Sequence, residues 1–189
     1  MEKILLADDD RVVLFTLAEG LREAGFEIIE ARDGLQALAL CKSELPALAL
    51  LDIRMPGLNG LQLARRLRDE TTVPFVFFSA HGDEEFVRHA VEIGALGYLI
   101  KPLQVAAIIP MIRTALARAR DISGLQHALA SNRTIATAVG LLMRAAGIDQ
   151  ATAFEQLRRQ ARAERRKLED LAKTMVEADN SNDPDRGIS

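Results

Sequence analysis

The sequence predicts an α/β protein in two parts, a five-stranded, doubly wound parallel sheet followed by an all-α segment of three helices. Three observations predict it. Short apolar runs and helical patterns alternate five times over roughly the first 120 residues. Four of the runs end on polar side chains, at Asp8-Asp9, Asp52, Ser79 and Lys101. After Leu103 the strand signal stops and only helical spacing remains. Such alternation demands parallel strands with helices on both faces, joined by right-handed crossovers.

Each element has its own justification. Lys3-Ile4-Leu5-Leu6-Ala7 and Ala47 to Leu51 are continuous apolar runs, the pattern of strands buried on both faces. Phe75 to Phe78 and Leu96 to Ile100 repeat that pattern, while Phe26-Glu27-Ile28-Ile29-Glu30 is less apolar and reads as nearer an edge. Between them, Asp10 to Ala24 places Val13, Leu14, Leu17, Ala18 and Leu21 at helical spacing, with Asp10 as N-cap and Gly25 as stop. Leu35 to Ser43, Leu61 to Asp69 and Asp83 to Ile93 are the next three helices. Pro56, Gly57 and Gly60 mark a turn after Asp52. The expected strand order is 2-1-3-4-5, which sets the first and third strands side by side and brings Asp8, Asp9 and Asp52 together.

Val105 to about Ala146 is helical in composition, with Pro110 as a candidate kink. Ile108, Ile112, Ala115, Ala119 and Ile122 form an apolar seam, and Leu125, Leu129, Asn132, Ala136, Val139 and Met143 continue it after a phase slip near Ser123-Gly124. The seam over 108–143 can pair with a second copy of the chain or fold back on the rest of this one. Gly147-Ile148-Asp149 breaks the helix, with Asp149 as the next N-cap; Gln150 to Ala163 and Leu168 to Val176 are the last two helices. Residues after Ala178 read as a disordered tail. The expected domains are therefore 1–120, 121–178 and the tail 179–189.

Composition narrows the function classes. Cys41 is the one cysteine, so no internal disulfide can form, and it lies in a helical apolar pattern that suits packing in a reducing compartment. The amino terminus has no signal-peptide pattern and no run is long enough to span a membrane, so a cytoplasmic protein is expected. The net charge of −3 is unevenly spread: residues 1–103 carry 17 acidic and 11 basic side chains, residues 104–189 carry 10 and 13. An acidic first part suits a cation and a mildly basic second part suits an anion.

The polar strand ends specify a chemistry. Asp8, Asp9 and Asp52 crowd three negative charges together, and without a cation at least one carboxyl has a raised pKa. Hard oxygen donors of this kind fit Mg²⁺, which neutralises the oxygens of an incoming phosphoryl group. Asp52 can serve as nucleophile and become an aspartyl phosphate. Lys101 supplies a mobile positive charge and Ser79 a hydrogen bond to a phosphoryl oxygen. The plainer alternative is that Asp52 only caps its loop.

Asp8-Asp9, Asp52 with Met55-Pro56-Gly57 and Gly60, Ser79-Ala80 and Lys101-Pro102 together resemble the flavodoxin-like receiver domain of bacterial two-component response regulators, over residues 3 to about 120. The resemblance implies phosphoryl transfer from a sensor histidine kinase to Asp52, with Mg²⁺ held by Asp8, Asp9, Asp52 and the backbone carbonyl of Arg54. It implies that Ser79 and Tyr98 couple phosphorylation to the face formed by the fourth helix, fifth strand and fifth helix. It further implies that Arg54 and His81 flank the water that hydrolyses the phosphate.

Arg133 to Met143, Ala153-Phe154, Leu157-Arg158 and Arg166-Lys167-Leu168 with Ala172 resemble an ANTAR domain, the three-helix RNA-binding module of transcription antiterminators, over about Leu125 to Val176. That family usually has a lysine between the alanine and glycine of its first motif, where this chain has Val139. Arg158, Arg162 and Arg166 are four apart and share a face if their helix persists, flanked by Arg159, Arg165 and Lys167. Such a stripe can hold phosphates, or be a solvated face paired with Glu155, Glu164 and Glu169. The residues assigned to RNA contact are Arg133, Arg144, Arg158, Arg162, Arg166 and Lys167. Phe154 reads as core, so no aromatic stacking on bases is expected.

These readings lead to a cytoplasmic regulator, not an enzyme, that is phosphorylated by a histidine kinase. It binds an RNA hairpin in a leader transcript and promotes antitermination. The rival is a regulator acting through protein contact or dimerisation of the helical tail. Duplex DNA is not the expected target, since no recognition-helix unit with a tight glycine turn stands out in residues 120–178.

Overall fold

The computed structural model describes residues 1–80, 84–102 and 104–182. Its elements run β1 (Lys3–Ala7), α1 (Arg11–Glu23), β2 (Glu27–Ala31), α2 (Gly34–Glu44), β3 (Leu48–Asp52), α3 (Gly60–Glu70), β4 (Phe75–Ser79), α4 (Glu84–Ile93), β5 (Tyr98–Ile100), α5 (Val105–Ala146), α6 (Gln150–Ala163) and α7 (Leu168–Asn182). The chain forms two compact units, Met1–Asp121 and Ile122 onward.

In the first unit the five strands are parallel, in the order β2-β1-β3-β4-β5. The two-residue period of the strands divides their side chains between two cores. Leu5, Ala7, Ala49, Leu51, Phe75 and Phe77 face α2, α3 and α4. Ile4, Leu6, Leu48, Leu50, Val76 and Phe78 face α1 and the start of α5. Both faces are thus covered, which is why these strands read as unbroken apolar runs. The fifth strand is shorter than its sequence signal. Leu96 and Gly97 still bond to Phe75 and Phe77, but the regular ladder begins only at Tyr98, at the sheet edge.

Two local expectations are met in detail. Asp10 caps α1 through Val12 N at 2.8 Å and Val13 N at 3.4 Å. Cys41 is buried without a partner sulfur. Asp83, expected to open the fourth helix, lies outside the described residues.

Along α5 the apolar seam changes character. Ile108, Ile112, Ala115 and Leu116 are buried in the core over α1. A partner therefore cannot use the whole of 108–143, because its first third already packs the sheet. Ile122, Leu125 and Leu129, by contrast, are 44, 65 and 56 % exposed. Pro110 does not end the helix, and its carbonyl accepts a bond from the Thr114 hydroxyl at 2.9 Å.

The second unit packs the remainder of α5 with α6 and α7 around Ala138, Val139, Ala153, Leu157, Ala161, Leu171 and Ala172. Asp149 caps α6 through Thr152 N at 3.0 Å. The tail expected from residue 179 is corrected over its first four residues: α7 continues to Asn182. Arg144 of α5 pairs with Asp179 at 3.4 Å, and Ser181 Oγ donates to Glu177 O within α7. Residues 183–189 lie outside the described set. Among the described residues no helix is long and apolar enough to cross a membrane.

A candidate phosphoacceptor site at the sheet rim

The three aspartates after β1 have three different jobs. Asp8 is fully buried, and its Oδ1 accepts the Asp10 backbone N–H at 2.9 Å. Asp9 is exposed and faces the rim. Asp10 is committed to capping α1. One strand over, Asp52 ends β3 almost fully buried, and its Oδ2 accepts the Arg54 backbone N–H at 2.9 Å. One carboxylate oxygen from each of Asp8, Asp9 and Asp52 lies within 4.8 Å of the others. Three hard oxygen donors in that span fit a Mg²⁺ ion.

The turn after Asp52 holds its carboxylate in place. Gly57 sits at φ +74°, where L side chains are strained. Asn59 and Gln62 form a reciprocal capping box at the start of α3. Gly60 is required for a different reason: a Cβ there would lie 2.1 Å from the Asp52 carbonyl oxygen and 2.8 Å from Ile53 Cα. Helix α3 can approach the back of Asp52 only through a glycine.

Lys101 closes the site from the end of β5. Its Nζ is 2.6 Å from Asp8 Oδ2 and 3.0 Å from Asp52 Oδ1. The same ammonium lies 4.9 Å from the centroid of the buried Phe78 ring, within cation–π range. Lys101 N donates to Ser79 O at 2.7 Å, which fixes the end of β5 against the end of β4. Ser79 itself is buried.

Burial pushes the Asp52 carboxyl above its ordinary value; the Lys101 hydrogen bond and charge oppose this, and the Asp8 charge adds to it. Burial pulls the Lys101 ammonium down, but its bonds to Asp8 and Asp52 outweigh that and raise it overall. The sequence reading attributes a raised carboxyl to crowding; at Asp52 burial is the larger cause.

Arg54 is exposed and lines a cleft of about 510 Å³ beside the site, with Asp9, Met55, Pro56, Asn59 and Phe86. Tyr98 is half-buried on β5 opposite Phe77 and packs against the core over α2 to α4. His81 lies outside the described residues. The structure therefore brings together Asp8, Asp9, Asp52, Ser79 and Lys101. Phe78 was missed by sequence reasoning; its only signal was its place next to Ser79, which says nothing about a lysine on another strand.

The basic residues of the second unit are more dispersed than the spacing implies. Helix α6 ends at Ala163 and Arg165 adopts φ +54°, so Arg166 does not continue the stripe of Arg158 and Arg162. Arg166 instead binds Asp170 O at 3.1 Å and Thr174 Oγ1 at 2.7 Å, tying the α6–α7 turn to α7. Arg144 pairs with Asp179 and Arg158 with Glu155 at 3.2 Å. Arg133, Arg162 and Lys167 are exposed with no ion pair among the described residues. Val139, where the resemblance implies a lysine, is packed in the core. Phe154 is not core: it is 38 % exposed.

Comparison with known proteins agrees with this geometry. Residues 4–113 match the response regulator receiver domain and residues 123–176 the ANTAR domain. The chain is 31 % identical over 183 residues to the transcriptional regulatory protein PdtaR of Mycobacterium tuberculosis, covering 93 % of this chain and 89 % of that protein. It is 38 % identical over 115 residues to the transcriptional regulatory protein CseB of Streptomyces coelicolor, covering 61 % of this chain and 49 % of that one. Among solved structures, the signal receiver domain of the putative response regulator NarL from Mycobacterium tuberculosis is 32 % identical with a TM-score of 0.57, over 63 % of this chain and 96 % of that one. A CheY-like receiver domain protein from Methanospirillum hungatei, 24 % identical, shares the fold with a TM-score of 0.60 over 64 % of this chain and 98 % of that one.

Proposed function

Because the chain belongs to the response regulators that join a receiver domain to an ANTAR domain, we propose that a sensor histidine kinase phosphorylates Asp52 and thereby controls RNA binding by the second unit. The chain is a regulatory protein and not a classical enzyme. The observation that carries the proposal is the placement of Asp52, buried at the end of β3 beside Asp8, Asp9 and the Lys101 ammonium.

A carboxylate oxygen of Asp52 attacks the phosphorus of the kinase phosphohistidine. The O–P bond forms as the P–N bond breaks, and the imidazole leaves with its electron pair. Mg²⁺ held by Asp8, Asp9, Asp52 and the backbone carbonyl of Arg54 would neutralise the phosphoryl oxygens. Lys101 is already within ion-pair distance of Asp52, so it can follow the new negative charge with little movement. Ser79 donates a hydrogen bond to a phosphoryl oxygen, and Tyr98 on the neighbouring strand carries the change to the face of α4, β5 and α5. Arg54 and His81 flank the water that later hydrolyses the phosphate and so set its lifetime.

The RNA is a hairpin in a leader transcript, and its binding favours readthrough of a terminator. Arg133, Arg162 and Lys167 are the exposed charges best suited to its phosphates, with Arg144, Arg158 and Arg166 able to contribute by exchanging their internal partners. A domain boundary near residue 120 and a cytoplasmic location go with this function. A second copy is a further partner: the exposed Ile122, Leu125 and Leu129 repeat at coiled-coil spacing. Phosphate labelling by a kinase or acetyl phosphate should need Mg²⁺ and vanish in Asp52→Asn; a variant that labels like the parent overturns the acceptor. A gel shift against hairpin RNA with duplex DNA as control tests the output, and retention of neither leaves protein contact as the better account.

A further inference from the structure

The inner face of α6 is not closed along its whole length. Ala153, Leu157 and Ala161 are buried, yet Phe154, beside Ala153, keeps more than a third of its surface in solvent. Its ring lines a cleft of about 610 Å³ between α5 and α6. Ile135, Ala136, Val139 and Ala151 supply apolar walls, and Asn132 and Gln150 stand at the rim. Asp149 also borders the cleft, but its carboxylate is taken by Thr152 N at 3.0 Å and Thr152 Oγ1 at 2.8 Å. Neither the Asn132 nor the Gln150 side chain bonds within the protein among the described residues. Arg133, next to Asn132 on α5, is exposed and has no ion pair among those residues.

These features select one ligand chemistry. A slot with one exposed ring, apolar walls and two neutral amides suits a flat apolar body edged by hydrogen-bond donors and acceptors, which describes a nucleobase. The exposed arginine next to Asn132 in the helix suits the phosphate attached to that base. An apolar helix of a second copy fits less well, because it would bury two amides without partners. We propose that the cleft receives one unpaired base of the bound RNA, stacked on Phe154, hydrogen-bonded by Asn132 and Gln150, with its phosphate held by Arg133. This rests on the RNA reading above and names the element recognised: a base in a loop, as distinct from the stem.

The test uses the full-length protein with acetyl phosphate and Mg²⁺ at low salt. Two hairpin probes share one stem and one loop length; the first is a pool with randomised loop bases, the second has an abasic loop of equal charge. The intact protein should bind the base-bearing pool about ten-fold more tightly than the abasic hairpin. Phe154→Leu and Gln150→Ala should each shrink that preference while leaving affinity for the abasic hairpin unchanged. Gln150 is exposed, so its variant reports even if Phe154→Leu folds poorly. Equal affinity of the parent for both probes overturns the base site and leaves RNA binding standing. Binding of neither probe overturns both. An unchanged preference in the two variants overturns the site, and so does a shift of the monomer–dimer balance in Phe154→Leu, which would give the cleft to a second copy.

Discussion

Lys101 is held by three groups at once, the carboxylates of Asp8 and Asp52 and the face of Phe78. A Mg²⁺ ion held by Asp8, Asp9 and Asp52 would draw on the same carboxylates that Lys101 pairs with, so the ammonium and the ion would compete. The Phe78 face favours the ammonium, and such a contact is worth about 0.5–1 kcal/mol or somewhat more when desolvated. Phe78→Leu should therefore tighten Mg²⁺ binding by roughly two- to five-fold. In a Lys101→Met background the same substitution should change nothing, and a Mg²⁺ titration of the four proteins reads the coupling directly. Cys41 offers a second residue-scale check. Burial pushes its thiol up to about 12, so the thiolate is scarce in the native state and the sulfur is sealed. Ellman's reagent should leave native protein unlabelled at pH 8 and label it fully after denaturation; rapid native labelling would contradict the packing of α2 on the sheet.

At the scale of the element, α3 is fixed beside Asp52 by two devices with separable effects. Its capping box satisfies end groups of the helix, and Asn59→Ala should cost about 1 kcal/mol while labelling of Asp52 proceeds. Gly60 sets how closely the helix approaches. A methyl group there meets backbone atoms of Asp52 and Ile53, which cannot swing aside as a side chain could. Gly60→Ala should cost about 1–3 kcal/mol, as overpacking usually does, and should also slow labelling because relief must move Asp52. Denaturant melts paired with phosphorylation time courses distinguish the two; equal labelling rates in both variants would sink this account of Gly60.

At the scale of the whole molecule, the acidic excess sits in the receiver unit, with 18 acidic and 14 basic side chains over 1–121, while 122–189 carries 9 and 10. Mg²⁺ should raise the melting temperature of the receiver unit alone, since binding at a hundred times Kd adds about 2.7 kcal/mol to the state that binds. Hydrogen exchange in α6 and α7 should not respond to Mg²⁺. Phosphorylation has a different reach: it raises RNA affinity only if it favours one arrangement of residues 122–146 over another. The expected result is tighter hairpin binding after phosphorylation and a steep loss as salt rises. Leu125→Lys with Leu129→Lys should abolish any phosphorylation-dependent dimer seen by sedimentation, and a dimer that survives both changes would place the contact elsewhere.

The sequence by itself determined the strand order and the gathering of Asp8, Asp9 and Asp52 at one rim. Strands covered on both faces must be apolar throughout, so the polar residue that ends each run is conspicuous, and parallel connection sends all the ends to one rim. What it could not determine was which surfaces are already covered. Ile108 and Ile112 share the 3–4 spacing of Leu125 and Leu129, yet the first pair packs the sheet and the second faces solvent. Phe154 lies on the inner side of α6 by periodicity, yet it stays more than a third exposed beside a cleft lined by Ile135, Ala136 and Val139 of α5. Arg166 is in phase with Arg158 and Arg162 only until α6 ends at Ala163. In each case periodicity reports the direction a side chain takes from its own helix axis. The partner met in that direction comes from residues distant in sequence, and only the packed chain decides it.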